Sequence, residues 1–135
     1  MSGSTTSSQK PSPLVLVVDD DSSALWHVKS LLERNGYAVE TAVSGEEALQ
    51  VLGKTVPDVL ILEVSLPGIS GLDVCQIVKR NTRLKKVKIV FLTWEGSPTI
   101  YKLGHAAGAD IYMTKPVSPE NLLRTLRLIS PPPAA

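Results

Sequence analysis

A single cysteine, Cys75, is too few for an internal disulfide, so the chain reads as one that folds in a reducing, cytoplasmic setting. Cys75 itself falls in a helical pattern with Leu72 and Val78, the spacing of buried packing rather than of a reactive thiol. No apolar stretch approaches the roughly 20 residues that a membrane-spanning helix needs. Net charge is only +1, which leaves no overall field to draw in nucleic acid or membrane. Aromatic residues make up 4% of the chain, and none interleaves with its densest basic run, Lys79-Arg80 and Arg83-Leu84-Lys85-Lys86-Val87-Lys88. Without aromatic planes to stack bases, that run reads as a solvated loop and not as a nucleic-acid patch. The first apolar run is followed by acids instead of glycines, so a phosphate-cradling nucleotide loop is not expected there. No internal repeat of roughly 20–50 residues is visible.

What remains is an ordinary globular composition, 43% apolar and 20% charged, in 135 residues. That length suits one domain with a sizeable core. Residues 1–12 form a Ser/Thr-rich stretch expected to be a disordered tail and, lacking an apolar segment, not a signal peptide. Residues 13–130 carry the domain, and 131–135 a proline-rich tail or the start of a linker. Charge is divided unevenly: residues 1–63 hold nine acids and four bases, and 64–135 four acids and ten bases.

Within the domain, short apolar runs alternate with amphipathic ones. Leu14–Val18 and Val59–Leu62 are continuously apolar, as strands buried on both faces are. Ala38–Thr41, Lys88–Thr93 and Asp110–Met113 complete a set of five. Between them lie five helical patterns. The first runs from Ser22 to Asn35, with Asp21 as cap, Ala24, Val28, Leu31 and Leu32 facing inward, and Asn35-Gly36 as stop. On it His27 lies beside the inward stripe, as a partly buried packing residue, while Trp26 falls off the stripe. The second opens on the capping box Ser44-Gly45-Glu46-Glu47 and runs to about Lys54. The third opens at Ser70 and ends near Asn81. The fourth opens at Ser97-Pro98, turns Ile100, Leu103, Gly104 and Ala107 inward and stops at Gly108. The last opens at Ser118-Pro119, with Leu122, Leu126 and Ile129 inward. This alternation predicts a parallel sheet with right-handed crossovers and helices on both faces.

In such a sheet, chemistry collects beyond the carboxyl ends of the strands. Four strand ends deliver polar groups there: Asp19 and Asp20 after the first, Glu63 after the third, Thr93 on the fourth and Lys115 past the fifth. Paired acids can hold a divalent cation such as Mg²⁺, and a hydroxyl and an ammonium can neutralise phosphate oxygens. A plainer alternative is that Lys115 pairs with the acids and Thr93 packs.

These residues carry a family resemblance. Val17-Val18-Asp19-Asp20-Asp21, Pro57-Asp58 through Leu66-Pro67 and Gly71, Leu92-Thr93, and Gly108-Ala109-Asp110 through Lys115-Pro116 resemble the motifs of response regulator receiver domains of two-component systems, over about residues 13–130. The resemblance implies a flavodoxin-like (βα)5 doubly wound sheet of order 2-1-3-4-5. It implies Asp19, Asp20 and, with them, Glu63 at the Mg²⁺ position, Thr93 as switch hydroxyl, Lys115 as the phosphate-contacting lysine and Tyr112 as a rotamer-switching aromatic. It further implies an output surface on the 97–107 helix, the fifth strand and the last helix, where Tyr101, Lys102, His105 and Tyr112 are the candidates to meet a histidine kinase or a downstream effector. No membrane partner and no direct nucleic-acid contact are expected.

Two departures bear on function. The family accepts phosphate on an aspartate where this chain has Glu63, whose extra methylene displaces the carboxylate by about 1.5 Å. In-line attack tolerates little misplacement, and about 1 Å can cost a hundredfold in rate. The longer arm could instead bring its charge to where a phosphoryl group would sit, within reach of Lys115 and Thr93. The second departure is Trp94, where the family usually has a small residue, so that its bulk narrows access as a gate. The leading expectation is therefore an atypical, or pseudo-, receiver that signals as a non-enzymatic interaction module without aspartyl phosphorylation. A phosphorylation-competent receiver is the alternative. A small Mg²⁺-dependent phosphatase resembling haloacid dehalogenase-type hydrolases, suggested by Asp19-x-Asp21, Thr93 and Lys115, is a third, against which stand the missing later acid pair and the short chain.

Overall fold

The computed structural model describes residues 12–133. The tail assigned to residues 1–12 thus lies outside the described residues except for Ser12, and so do the last two residues of the 131–135 segment.

Five strands, β1 (Leu14–Val18), β2 (Ala38–Ala42), β3 (Val59–Leu62), β4 (Lys88–Thr93) and β5 (Ile111–Thr114), pair in parallel in the order β2-β1-β3-β4-β5. Helices α1 (Ser22–Arg34), α2 (Gly45–Leu52), α3 (Gly71–Arg80), α4 (Pro98–Ala106) and α5 (Pro119–Ile129) connect or follow them. The alternation predicts the parallel sheet with helices on both faces, and the order is the flavodoxin-like one that the family resemblance implies. Strand pairing aligns Val18 with Leu62 and Leu62 with Phe91, so the residues that follow each strand emerge on one edge.

The period-2 geometry of the strands splits the core in two. Leu16, Val18, Leu60, Leu62, Ile89 and Phe91 face one layer with Ala48 and Leu52 of α2 and Val74, Cys75 and Val78 of α3. Val15, Val17, Val59, Ile61, Val90 and Leu92 face the other with Leu25 and Leu32 of α1 and Leu122, Leu123 and Leu126 of α5. Because every residue of β3 is covered on one side or the other, Val59–Leu62 is apolar throughout. Burial pushes the Cys75 thiol up to about 11, in keeping with its packing role.

Several local expectations need correction. His27 is exposed rather than packed beside the α1 stripe; its Nδ1 lies 2.7 Å from the Ser23 carbonyl, which can only accept, so the proton sits on that nitrogen. The α1 stripe is turned toward Leu25, which is buried, while Ala24 is only half-buried. Leu103 of α4 is 47% exposed, because the helix meets the sheet along a narrow line through Ile100, Gly104 and Ala107. The α2 capping box is half formed. Ser44 Oγ accepts from Glu47 N, but the Glu47 carboxylate bonds Val43 N instead of the cap amide. That helix ends at Leu52, two residues short of Lys54, with Gly53 as its cap. At Ser70 and Asp73 both halves of such a box are present. β2 and β5 run one residue further than expected, to Ala42 and Thr114, and β5 begins at Ile111.

Candidate functional site

The three acids after β1 have separate fates. Asp21 caps α1, its Oδ1 accepting from Ser23 N at 3.0 Å and Ala24 N at 3.3 Å. Asp20 is exposed. Asp19 is buried; its Oδ1 accepts from Asp21 N at 2.9 Å and its Oδ2 from Lys115 Nζ at 2.6 Å.

Glu63, just past β3, is also buried. Its side chain folds back so that Oε2 accepts from Val64 N at 2.8 Å, while Oε1 accepts from Lys115 Nζ at 3.1 Å. One ammonium therefore bridges two carboxylates held by different strands. Burial works against the charged Lys115, but the hydrogen bonds and charges of Asp19 and Glu63 outweigh it and hold its pKa above the ordinary lysine value. Thr93 is fully buried at the end of β4, and its Oγ1 accepts from Glu95 N at 3.1 Å, fixing the turn after the strand. Glu63 bonds Lys115 as anticipated, whereas the Thr93 oxygen bonds its own turn.

Trp94 is 67% exposed, with its ring centroid 5.9 Å from Lys115 Nζ, at the outer limit of a cation–π contact. Asp19, Asp20, Glu63, Thr93, Trp94 and Lys115 together line one cavity of about 310 Å³. Six sequence candidates are thus brought to one place. Ser65 and Glu95 line it too, and sequence reasoning missed both. Both sit in the loops that follow β3 and β4, and nothing in the sequence pattern marks them.

Tyr112 does not line the cavity. Its hydroxyl donates to the Glu95 carbonyl at 2.5 Å, which ties β5 to the loop that carries Trp94. Burial first, then the charges of Glu95 and Glu63, raise its pKa. The ring packs on Phe91 and meets Tyr101 edge-on at 5.3 Å, and Tyr101 in turn meets His105 at 4.5 Å. Tyr101, Lys102 and His105 are all exposed on α4.

A receiver-type Mg²⁺ would need Asp19, Asp20 and Glu63 to converge on one ion. Among the described residues no three acids or metal-ligating side chains come together in that way. All four carboxylate oxygens of Asp19 and Glu63 already accept hydrogen bonds, and the Lys115 ammonium occupies the position between them. In this arrangement a divalent cation would have to displace Lys115 from between Asp19 and Glu63. The chemistry available is a buried triad of two carboxylates sharing one ammonium, with a hydroxyl beside it. None of the helices among the described residues is long and apolar enough to cross a membrane.

Comparison with known proteins follows the same lines. The family model of the response regulator receiver domain matches residues 15–127. The chain is 35% identical over 117 residues to the transcriptional regulatory protein AfsQ1 of Streptomyces coelicolor, covering 87% of this chain and 51% of that protein. It is 38% identical over 115 residues to the alkaline phosphatase synthesis transcriptional regulatory protein PhoP of Bacillus subtilis, covering 85% and 47%. The chain thus spans about half the length of the curated relatives it matches. Among solved structures, a response regulator from Chloroflexus aurantiacus superposes with a TM-score of 0.83 at 39% identity, over 89% of this chain and 98% of that one. The chemotaxis response regulator CheY4 of Vibrio cholerae gives 0.82 at 38% identity, over 87% and 98%. These similar proteins are named as regulators and not as enzymes, which gives the phosphatase alternative no support.

Proposed function

Because this chain belongs to the response regulator receiver domain family, we propose that it is an atypical receiver, a cytoplasmic signalling module whose output does not require aspartyl phosphorylation. The observation that supports this reading is the Lys115 bridge, with Nζ 3.1 Å from Glu63 Oε1 and 2.6 Å from Asp19 Oδ2. Glu63 supplies, without phosphorylation, an anion that the lysine grips. The Glu63 carboxylate is also bonded to Val64 N, which leaves it poorly disposed as an attacking nucleophile. Trp94 stands over the lysine as the gate.

On this reading the module signals through constant or partner-controlled contacts of α4, β5 and α5, with Tyr101, Lys102, His105 and Tyr112 meeting a histidine kinase or a downstream effector. Mg²⁺ binds weakly, since it must displace Lys115 from Asp19. Titrating Mg²⁺ while following tryptophan emission checks that point, given Trp94 on the cavity wall.

A phosphorylation-competent receiver is the second reading, favoured by the presence of Asp19, Asp20, Thr93 and Lys115 around one cavity. Intact-mass measurement after incubation with a small acyl phosphate and Mg²⁺ separates the two. The proposal expects no phosphoryl adduct on the wild-type chain and an adduct on Glu63→Asp, provided that Trp94 leaves access. A stable adduct on the wild type that is absent from Glu63→Gln overturns it.

A further inference from the structure

The stretch from the end of α3 to the start of β4 carries six cations in ten residues, Lys79, Arg80, Arg83, Lys85, Lys86 and Lys88, with no acid among them. It is not a loose loop. Leu84 and Val87 are buried in the core, and Leu84 N and Lys85 N both donate to the Asn81 carbonyl, at 3.0 and 2.8 Å. Lys79 is neutralised by Asp110 at 3.2 Å, and Arg83 donates to the Leu52 carbonyl at the end of α2. Arg80, Lys85, Lys86 and Lys88 stay exposed and take part in none of the ion pairs among the described residues. The backbone therefore presents four uncompensated cations on a fixed shelf, at the sheet edge opposite the acid cavity.

Beside the shelf lies a groove of about 320 Å³ lined by Lys86 and Lys88 together with Val56, Val87, Ile129 and Pro131. Val56 is 49% exposed there. The one acid on the wall, Asp58, already accepts from Leu14 N at 2.8 Å. Cations flanking an apolar floor complement a ligand that is both anionic and apolar, and neither the groove nor the basic segment offers an aromatic ring to stack a base. From this geometry we infer that the groove and shelf dock an acidic, partly apolar peptide segment of a partner protein. The surface meets α5 only at its last residue, Ile129, and lies at the sheet end opposite Glu63, so the inference does not depend on the state of the Glu63 cavity.

The test titrates the full 135-residue chain into a short fluorescent peptide of alternating glutamate and leucine, read by polarisation. A glutamate–serine peptide, a lysine–leucine peptide and a short DNA duplex serve as comparisons. The glutamate–leucine peptide is expected to bind more tightly than the other three, and to weaken with added salt. The double variant Lys86→Glu with Lys88→Glu should bind it roughly tenfold more weakly. Backbone amide shifts in the wild-type chain should move at Val56, Val87 and Ile129, a readout independent of how the variant folds. Absence of binding, equal binding by the double variant or by the glutamate–serine peptide, shifts confined to another face, or preference for the duplex would each overturn the proposal.

Discussion

A Cβ built on Gly71 would stand 2.0 Å from the carbonyl oxygen of Glu63, so the residue that opens α3 and the residue that carries the buried acid touch through their backbones. Gly71 N also donates to the Val64 carbonyl at 2.8 Å, closing the intervening loop. The neighbour is main chain and cannot rotate away. Gly71→Ala is therefore expected to lose roughly 3 kcal/mol, as overpacking of a tight core does. Urea unfolding would show it, and amide shifts at Glu63 and Val64 should move more than those elsewhere.

Lys115→Met would leave the buried carboxylates of Asp19 and Glu63 facing each other without their cation. Breaking a buried pair by removing one partner costs roughly 3 kcal/mol. Adding Glu63→Gln should recover part of that loss, because the double variant removes a charge along with its partner. Additive losses in denaturant unfolding would show that the bridge carries no coupling. The pH dependence follows from the raised lysine pKa. The stabilisation is present at pH values below the unfolded value of 10.5 and disappears as the pH climbs through the higher folded value.

Gly104 has no side chain because Tyr112 lies against it; a Cβ there would meet the ring at 2.9 Å. Gly104→Ala gains about 1 kcal/mol of helix propensity in α4 and spends a similar amount on moving the ring. Net stability should shift by less than about 1 kcal/mol. Tyr112, in contrast, should lose its hydrogen bond to the Glu95 carbonyl. Its phenol titration, followed by ultraviolet absorbance against Tyr112→Phe, is the measurement, and an unchanged titration would mean that the ring had stayed in place.

Cys75 titrates at about 11 in the folded chain against an ordinary value of 9.0. Unfolding frees the thiol to ionise, so stability is intact below about pH 9 and declines between there and pH 11. Cys75→Ala should flatten that part of the curve when the two unfolding midpoints are compared across pH, at some loss from the methyl-sized cavity left behind. Folded chain should react slowly with thiol reagents at neutral pH.

Strand positions were legible wherever burial on both faces left an uninterrupted apolar run, as at Leu14–Val18 and Val59–Leu62, and helix starts wherever Ser or Asp preceded the pattern, as at Asp21, Ser70, Ser97 and Ser118. The exposure of His27 and Leu103 was not legible, since helical periodicity gives a face but not the width of the surface that covers it. Ser65 and Glu95 escaped notice because loop residues enter a cavity by the path of the backbone, which no spacing rule encodes.

What the sequence determined by itself was the fold and the collection of Asp19, Glu63, Thr93 and Lys115 at one sheet edge, because parallel alternation sends every strand end the same way. Only the tertiary structure decided how those groups share their charges. It turned Glu63 back onto Val64 N and placed one ammonium between two acids drawn from separate strands. Hydrogen-bond partners at ångström distances depend on side-chain torsions and on loop paths between elements far apart in the chain, and those are fixed when the layers pack.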